Sequence, residues 1–360
     1  MAEATIMGDS TKVMRQKRVR MTDVAREAGV SLGTVSAVVN NLPTISPETR
    51  NRVLEVIERT KYTPDLSARL LARSRRTCTV LSDSMCLAIT EGAVDGFSNQ
   101  FFARLLSGVT RETSECKLKL FSEIIKIHYS TSTDLPASMS EGMVGGVICA
   151  GMINTGFVRQ IVAMRIPVVL VEGYFKDTLL PSILADNYRG GYLAAKYLLE
   201  RGHRAVALMS GHEDFESTRE RRRGFLDGLR EAGVELPAAF FENGSFDLHG
   251  GAASMQRLLA LPDRPTAVFC MNDQMAIGAM KAVKAAGLRV PEDVSLIGFD
   301  DIFMAGHMEP ALTTIRVPLE DMGRMAVRTL RGLMREPGLP PATSIVSVVL
   351  VERGSVRDRR

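Results

Sequence analysis

The chain has no Trp, only 6% aromatic residues and no apolar run close to the roughly 20 residues that cross a bilayer. The longest continuous apolar stretches, Pro167 to Val171 and Val346 to Val351 with Ser347 interrupting, have the length of strands. No membrane partner is therefore expected. The polar start, Met1 to Arg20, lacks a secretory apolar segment, so the chain reads as cytoplasmic. Its five Cys (Cys78, Cys86, Cys116, Cys149, Cys270) are odd in number and contain no CxxC pair. That excludes a disulfide framework and a Cys-based zinc site, and leaves the thiols as small buried hydrophobes. GxGxxG, GxxxxGK followed by Ser or Thr, GxSxG and HExxH are all missing. His128, His203, His212, His249 and His307 are scattered without acidic or Cys neighbours at ligand spacing, and are expected at the surface or at caps. No catalytic residue, metal or cofactor is called for. What remains is 45% apolar and 24% charged over 360 residues, enough for two or three globular units at about 150 residues each.

The charge is unevenly placed. Met1 to Arg76 holds 14 Lys and Arg against 8 Asp and Glu, leaving 31 against 33 for the remainder. A basic first fifth on a nearly neutral body suggests a module that meets a polyanion, because Lys and Arg neutralise phosphates without regard to sequence. The run KVMRQKRVR (Lys12 to Arg20) would alone be a solvated tail, so the following residues decide.

Met21 to Asn40 reads MTDVAREAGVSLGTVSAVVN. Thr22 is placed to cap a helix with Val24, Ala25 and Ala28 inward, Gly29 to stop it, and Ser31 to cap a second helix with Val35, Val38 and Val39 inward. A small residue, a turn glycine and an apolar anchor in that order form a helix-turn-helix signature. Ser46-Pro47-Glu48 starts a third helix, expected to bury Val53, Leu54, Val56 and Ile57. The second helix then offers Leu32, Gly33, Ser36, Ala37 and Asn40, small or polar groups suited to DNA.

These residues, VAREAGVSLGTVSAVVN followed by SPETRNRVLEVIERTKYTPDLSARLLA, closely resemble the lactose-repressor and galactose-repressor family of bacterial transcription regulators, and the resemblance extends over nearly the whole chain. It implies a second helix in the major groove, phosphate contacts from Ser31, Thr34, Ser36 and Asn40 with Thr22 among the DNA-facing residues, and Leu32, Gly33 and Ala37 at the base-reading positions. It also implies a hinge helix that folds on DNA and wedges Leu71, with Ala68 beside it, into the minor groove at the centre of a palindrome. Leu32, Gly33 and Ala37 stand where relatives often carry longer polar side chains, so hydrogen-bonded base readout is expected to be thin and apolar contact with thymine methyls to matter more.

From about Thr77, strand-like runs (GGVICAG, PVVLVEG, AVALMSG, TAVFCMND, VSLIGFDD) alternate with amphipathic helical stretches, the pattern of parallel sheets covered by helices. The resemblance adds two Rossmann-like subdomains, like periplasmic sugar-binding proteins, joined by crossings near Asp186, Thr314 and Pro337. The expected fold is thus α/β: a basic tail (1–20), a three-helix helix-turn-helix domain (21–64), a hinge helix and linker (65–76), and a type I periplasmic-binding-protein-like core (77–360). Within the core the N-subdomain takes about 77–186 plus 314–336 and the C-subdomain about 187–313 plus 337–356. Residues 78–98 are less strand-like than the family's opening strand.

Ligands of such cores lie between the subdomains, at the carboxyl ends of strands. In FESTRERRRGF, Ser217 and Arg221 lie one helical turn apart, and the resemblance assigns Arg221 to clamp an effector. It adds Asn272 and Asp300 as hydrogen-bonding positions, Phe246 as a stacking ring, Phe101 and Phe102 as the N-subdomain wall, and Glu172 where an Asp is usual. A carboxylate at Asp300 suits vicinal hydroxyls; Asn272 and Asp300 would equally serve as helix caps. The expected function is a DNA-binding regulator, a repressor, with palindromic operator DNA, a small effector (sugar, sugar acid or similar) and a second copy of the chain as partners. The competing reading is a solute-binding protein, which the core alone would fit equally well.

Overall fold

The computed structural model describes residues 19–39, 45–60, 83–90, 99–125, 135–151, 154–175 and 178–360. The chain divides into two compact units, Met1–Arg76 and Thr77–Arg360.

In the first unit, α1 (Met21–Glu27), α2 (Leu32–Val39) and α3 (Pro47–Thr60) enclose a core of Val24, Ala25, Ala28, Val35, Val38, Val53 and Val56. Gly29 takes φ +64°, its N–H bonding the Arg26 carbonyl and that of Val30 the Ala25 carbonyl. This closing motif of α1 needs a left-handed residue, which glycine supplies at no steric cost. Ser31 Oγ accepts the Thr34 N–H at 3.1 Å and Ser46 Oγ that of Thr49 at 3.4 Å, so both expected caps form. Two details differ from expectation. Arg20, not Thr22, precedes α1, because Asp23 reaches back to the Arg20 N–H at 2.9 Å and fixes the start two residues earlier. Leu54 is 46% exposed, since a helix of this length buries one stripe and Val53 and Val56 already fill it.

The second unit contains two six-stranded sheets. The first has the order β11 (Thr343–Val346), β5 (Ser182–Ala185), β4 (Val168–Val171), β3 (Val147–Ala150), β1 (Ser84–Thr90), β2 (Lys119–Ile125), with every pair parallel. The second runs β12 (Val349–Val351), β10 (Thr313–Arg316), β9 (Ser295–Asp300), β8 (Ala267–Cys270), β6 (Val206–Ser210), β7 (Phe241–Asn243), and only β12 is antiparallel. The quoted apolar runs became β3, β4, β6, β8 and β9, whose fully buried residues reflect helices on both faces of a parallel sheet. β1 is buried along its whole length although Ser84, Cys86 and Thr90 break its apolar character. Burial pushes the Cys86, Cys149 and Cys270 thiols up, as expected of inert core residues, whereas Cys116 is only half-buried. His203 departs from the expected surface position. It is 1% exposed, its ring bonding Thr266 Oγ1 at 2.9 Å and the Arg357 carbonyl at 3.0 Å.

The helices are α4 (Gln100–Glu115), α5 (Ala137–Ser140), α6 (Thr155–Ala163), α7 (Asn187–Glu200), α8 (Glu216–Glu231), α9 (Leu248–Leu259), α10 (Asp273–Ala285) and α11 (Leu319–Arg335). α7 packs on α8 and α9 on α10, while α11 crosses back to pack on α4 and β4. The chain thus passes between sheets at Asp186, as expected, and again at Val317–Pro318, a few residues beyond the expected Thr314. It passes a third time at Ser347–Val348 and not at Pro337. The apolar run that looks like one strand is split there, β11 pairing with β5 and β12 with β10.

Candidate effector cleft and nucleic-acid interface

On α2 the expected DNA-facing groups are outside the core. Leu32 is 49% exposed, Ser31 and Gly33 are exposed, and Thr34, Ser36 and Ala37 are half-buried around the Val35 and Val38 anchors. The Ser31 and Thr34 hydroxyls are 2.9 Å apart. Thr22 is exposed on α1. Asn40, Ala68 and Leu71, with the whole hinge segment, lie outside the described residues.

In the body the strand ends of the two sheets meet across a polar chain. Arg221, on α8 and 4% exposed, donates from Nε to Asn187 Oδ1 at 2.8 Å and from Nη1 to the Met271 carbonyl, and its guanidinium lies 3.7 Å from the centre of the Phe299 ring. Its Nη2 stands 3.6 Å from Asp300 Oδ1, too far for a hydrogen bond, and Oδ1 has no partner among the described residues. Asp300 is 5% exposed. Burial pushes its carboxyl up to about 7, the Arg221 charge opposing this and the Glu172 charge adding to it. Asn187 Nδ2 donates to Glu172 Oε2 at 3.1 Å, and Glu172 Oε1 accepts the Ala185 N–H. Glu172 (φ +51°) therefore spends both oxygens bracing the first crossing.

The sequence did not single out Asn187. The signal was its place directly after a strand at a crossing, masked because Asp186 beside it is the α7 cap, accepting the Arg189 N–H at 3.0 Å. Asp273, equally unassigned, is fully buried, accepting the Ile302 N–H at 2.8 Å and the Thr314 hydroxyl. Burial, and then the Asp300 charge, raise its carboxyl well above the usual range. Gly298 leaves space for it, since a Cβ there would lie 2.1 Å from Asp273 Oδ1.

The remaining predicted residues are not gathered at one point. A cavity of about 360 Å³ is lined by Glu172, Asn187 and Ser217 together with Tyr174, Tyr188, Leu184 and Ile345, whereas Arg221, Asp300, Asn272 and the three phenylalanines do not line it. Asn272 uses its amide locally, accepting the Met275 N–H at 2.9 Å as the α10 cap and donating to the Phe246 carbonyl at 2.9 Å. Phe246 (φ +62°) meets Phe215 edge-on at 5.6 Å. Phe101 is half-buried, edge-on to Phe102 at 5.2 Å; Phe102 is buried against the backbone at Gly151. Among the described residues no group of His, Cys, Asp and Glu could hold a metal ion, and no helix is long and apolar enough to cross a membrane.

Residues 20–65 match the family model of bacterial regulatory proteins of the lacI family, and 195–356 match the periplasmic binding protein-like domain. A probable HTH-type transcriptional repressor, ExuR, of Bacillus subtilis (strain 168) is 33% identical over 348 residues, covering 94% of this chain and 98% of that protein. Among solved structures, the transcriptional regulator CelR in complex with cellobiose has a TM-score of 0.70 at 29% identity, covering 94% of this chain and 100% of that one. The lac repressor dimer bound to operator and an anti-inducer has 0.67 at 25% identity, covering 95% and 100%. With such a relative aligned over 94% of the chain, and a body of two subdomains following a helix-turn-helix unit, the chain belongs to the lacI family of bacterial regulatory proteins.

Proposed function

We propose that the chain is a DNA-binding transcriptional repressor acting in the bacterial cytoplasm as a homodimer on a palindromic operator, its grip on DNA set by a small molecule in the cleft of its body. The observation that carries this reading is α2, which buries Val35 and Val38 while leaving Ser31, Leu32 and Gly33 exposed. Leu32 and Ala37 would meet thymine methyls, Ser31, Thr34 and Ser36 phosphates, and Gly33 would allow close backbone approach. Thr22, and outside the described residues Asn40, Ala68 and Leu71, join this interface by resemblance. In the body, the effector would be a sugar or sugar derivative whose hydroxyls satisfy the orphaned Asp300 oxygen and Arg221, with Ser217, Asn272, Glu172, Phe101, Phe102 and Phe246 as its surroundings. The relative named a repressor and the neighbour carrying cellobiose support this assignment. Such a ligand acts by preferring one arrangement of the subdomains, which alters DNA affinity through a shift of population.

The test is a gel shift with palindromic duplexes from upstream of the gene, using the full chain and residues 77–360 alone. A shift by the full chain that disappears on truncation is expected; equal behaviour of both proteins contradicts the reading. A thermal-shift series with cellobiose, ribose and sugar acids identifies the effector class, because a ligand of the folded state raises the melting temperature.

A further inference from the structure

Asp300 and Asp301 both have positive φ, +103° and +56°. Residues with a Cβ avoid this region, so such a turn persists only where its surroundings over-determine it. Part of the support comes from within the second subdomain. The Ile302 N–H donates to Asp273 at 2.8 Å, and the Asp301 carboxylate accepts from Arg316 Nε and Arg353 Nη2, each at 2.6 Å. Burial pushes the Asp301 carboxyl up, but these two guanidiniums outweigh it and hold it below its usual range.

The rest comes from the other subdomain. Arg104 Nη1, on α4, donates to the Asp301 carbonyl at 2.8 Å, and Gln100 Oε1, one turn earlier on the same helix, accepts the Met304 N–H at 3.2 Å. The guanidinium is steered from its own side, since Arg104 Nε lies 3.6 Å from Glu320 Oε1 on α11, which packs on α4. When the subdomains part, the Asp273, Arg316 and Arg353 contacts travel with the turn, whereas the Arg104 and Gln100 contacts must break.

We infer that Arg104 and Gln100 are positioning residues that hold, from across the cleft, the turn presenting Asp300, and so tie the geometry of the effector-reading carboxylate to closure of the two subdomains. The inference rests on the proposed role of Asp300 as an effector contact. The charged groups around that carboxylate are Arg221 from α8, Glu172 from the turn after β4, Asp273 at the head of α10 and the neighbouring Asp301. Releasing the turn lets water reach Asp300, which weakens the burial that holds its proton.

Amide hydrogen exchange on the full chain tests this. Arg104→Met is expected to speed exchange across 300–308 by about tenfold, the loss of one charge-assisted hydrogen bond, while 295–299 of β9 and α10 stay protected. Gln100→Met should give a smaller acceleration in the same segment, and Arg111→Met, which breaks only an exposed pair with Glu115 at 3.3 Å on the same helix, none. The fall in melting temperature as pH rises toward 7 should also flatten in Arg104→Met, which a mere helix tack would not cause. Unchanged exchange at 300–308, or loosening confined to α4, overturns the inference. Should Arg104→Met not fold, Arg104→Lys keeps the cation without the planar fork and is expected to lie between; wild-type exchange there overturns it equally. The same proteins in a gel shift separate the two readings. A full chain that binds no duplex sinks the repressor assignment alone, and wild-type exchange in a variant that still binds operator sinks only the positioning role.

Discussion

In the helical unit the groups proposed to meet DNA lie on the outside of a core made of seven small side chains, and Leu32 is 49% exposed. In the body the groups proposed to meet the effector are inside, Arg221 at 4% and Asp300 at 5% exposure, each answered by protein atoms or, for Asp300 Oδ1, by none among the described residues. The contrast follows from the partners. DNA is a surface, and it is met by a stripe that need not be desolvated beforehand. A small ligand is enclosed, so its receptor must keep polar groups dry and oriented before it arrives, which makes them costly to disturb. Substitutions in the two units should therefore fail differently.

The largest effect is expected for Arg221→Met. Removing the guanidinium leaves Asp300 without its counter-charge and Asn187 Oδ1 and the Met271 carbonyl without their donor, a loss of about 3 to 5 kcal/mol for a broken buried pair. Denaturant unfolding of the full chain should show the body transition moved to lower denaturant; an unmoved midpoint would mean that the cleft is less tightly organised than the helical unit.

Next comes Val35→Ala, which removes two buried carbons from a small core and costs about 2 kcal/mol. Operator binding should be lost while ligand-induced stabilisation of the body survives, and joint loss of both responses would erase the contrast.

A third effect is seen in pH. Because the Asp300 carboxyl is pushed up to about 7, above its ordinary 3.8, the folded state holds that proton more tightly than the unfolded one. Its contribution is complete below the ordinary value and disappears as pH rises through 7. Asp300→Asn should flatten the decline in melting temperature across that window, and a profile identical to wild type would remove Asp300 as its source.

The smallest change is Ser31→Ala. Loss of the hydroxyl that accepts the Thr34 N–H costs about 1 kcal/mol, so operator affinity should fall by roughly fivefold in a fluorescence titration, with the body's melting unaffected.

Legibility in the sequence follows the same division. The helix-turn-helix unit is written in local signals, a cap at Ser31, a left-handed turn at Gly29 and anchors at helical spacing, and nearly all appear in place. The exceptions are Thr22, displaced as a cap by the reach of Asp23, and Leu54, which lies just off the buried stripe. In the body, continuous apolar runs marked five strands, because strands covered on both faces need no polar alternation. β1 escaped since Ser84 and Thr90 are buried through tertiary packing, which no local pattern announces. The third crossing was obscured because Val346 to Val351 is apolar throughout apart from Ser347, while the change of hydrogen-bonding partner at 347–348 depends on strands over thirty residues away. Arg221 and Asp300 meet across the sheet ends, but Glu172 and Asn272 turned out to be committed to Ala185, Asn187, Met275 and Phe246, bonds that only the folded chain reveals.

The central claim is that one protein couples a buried ligand site to an exposed DNA surface. It is tested most directly by calorimetric titration of the ligand found in the thermal-shift series into the full chain, with and without saturating operator. Linkage requires operator to change ligand affinity by the factor with which ligand changes operator affinity. Equal factors different from one are predicted; a ligand affinity that operator leaves untouched would contradict the account.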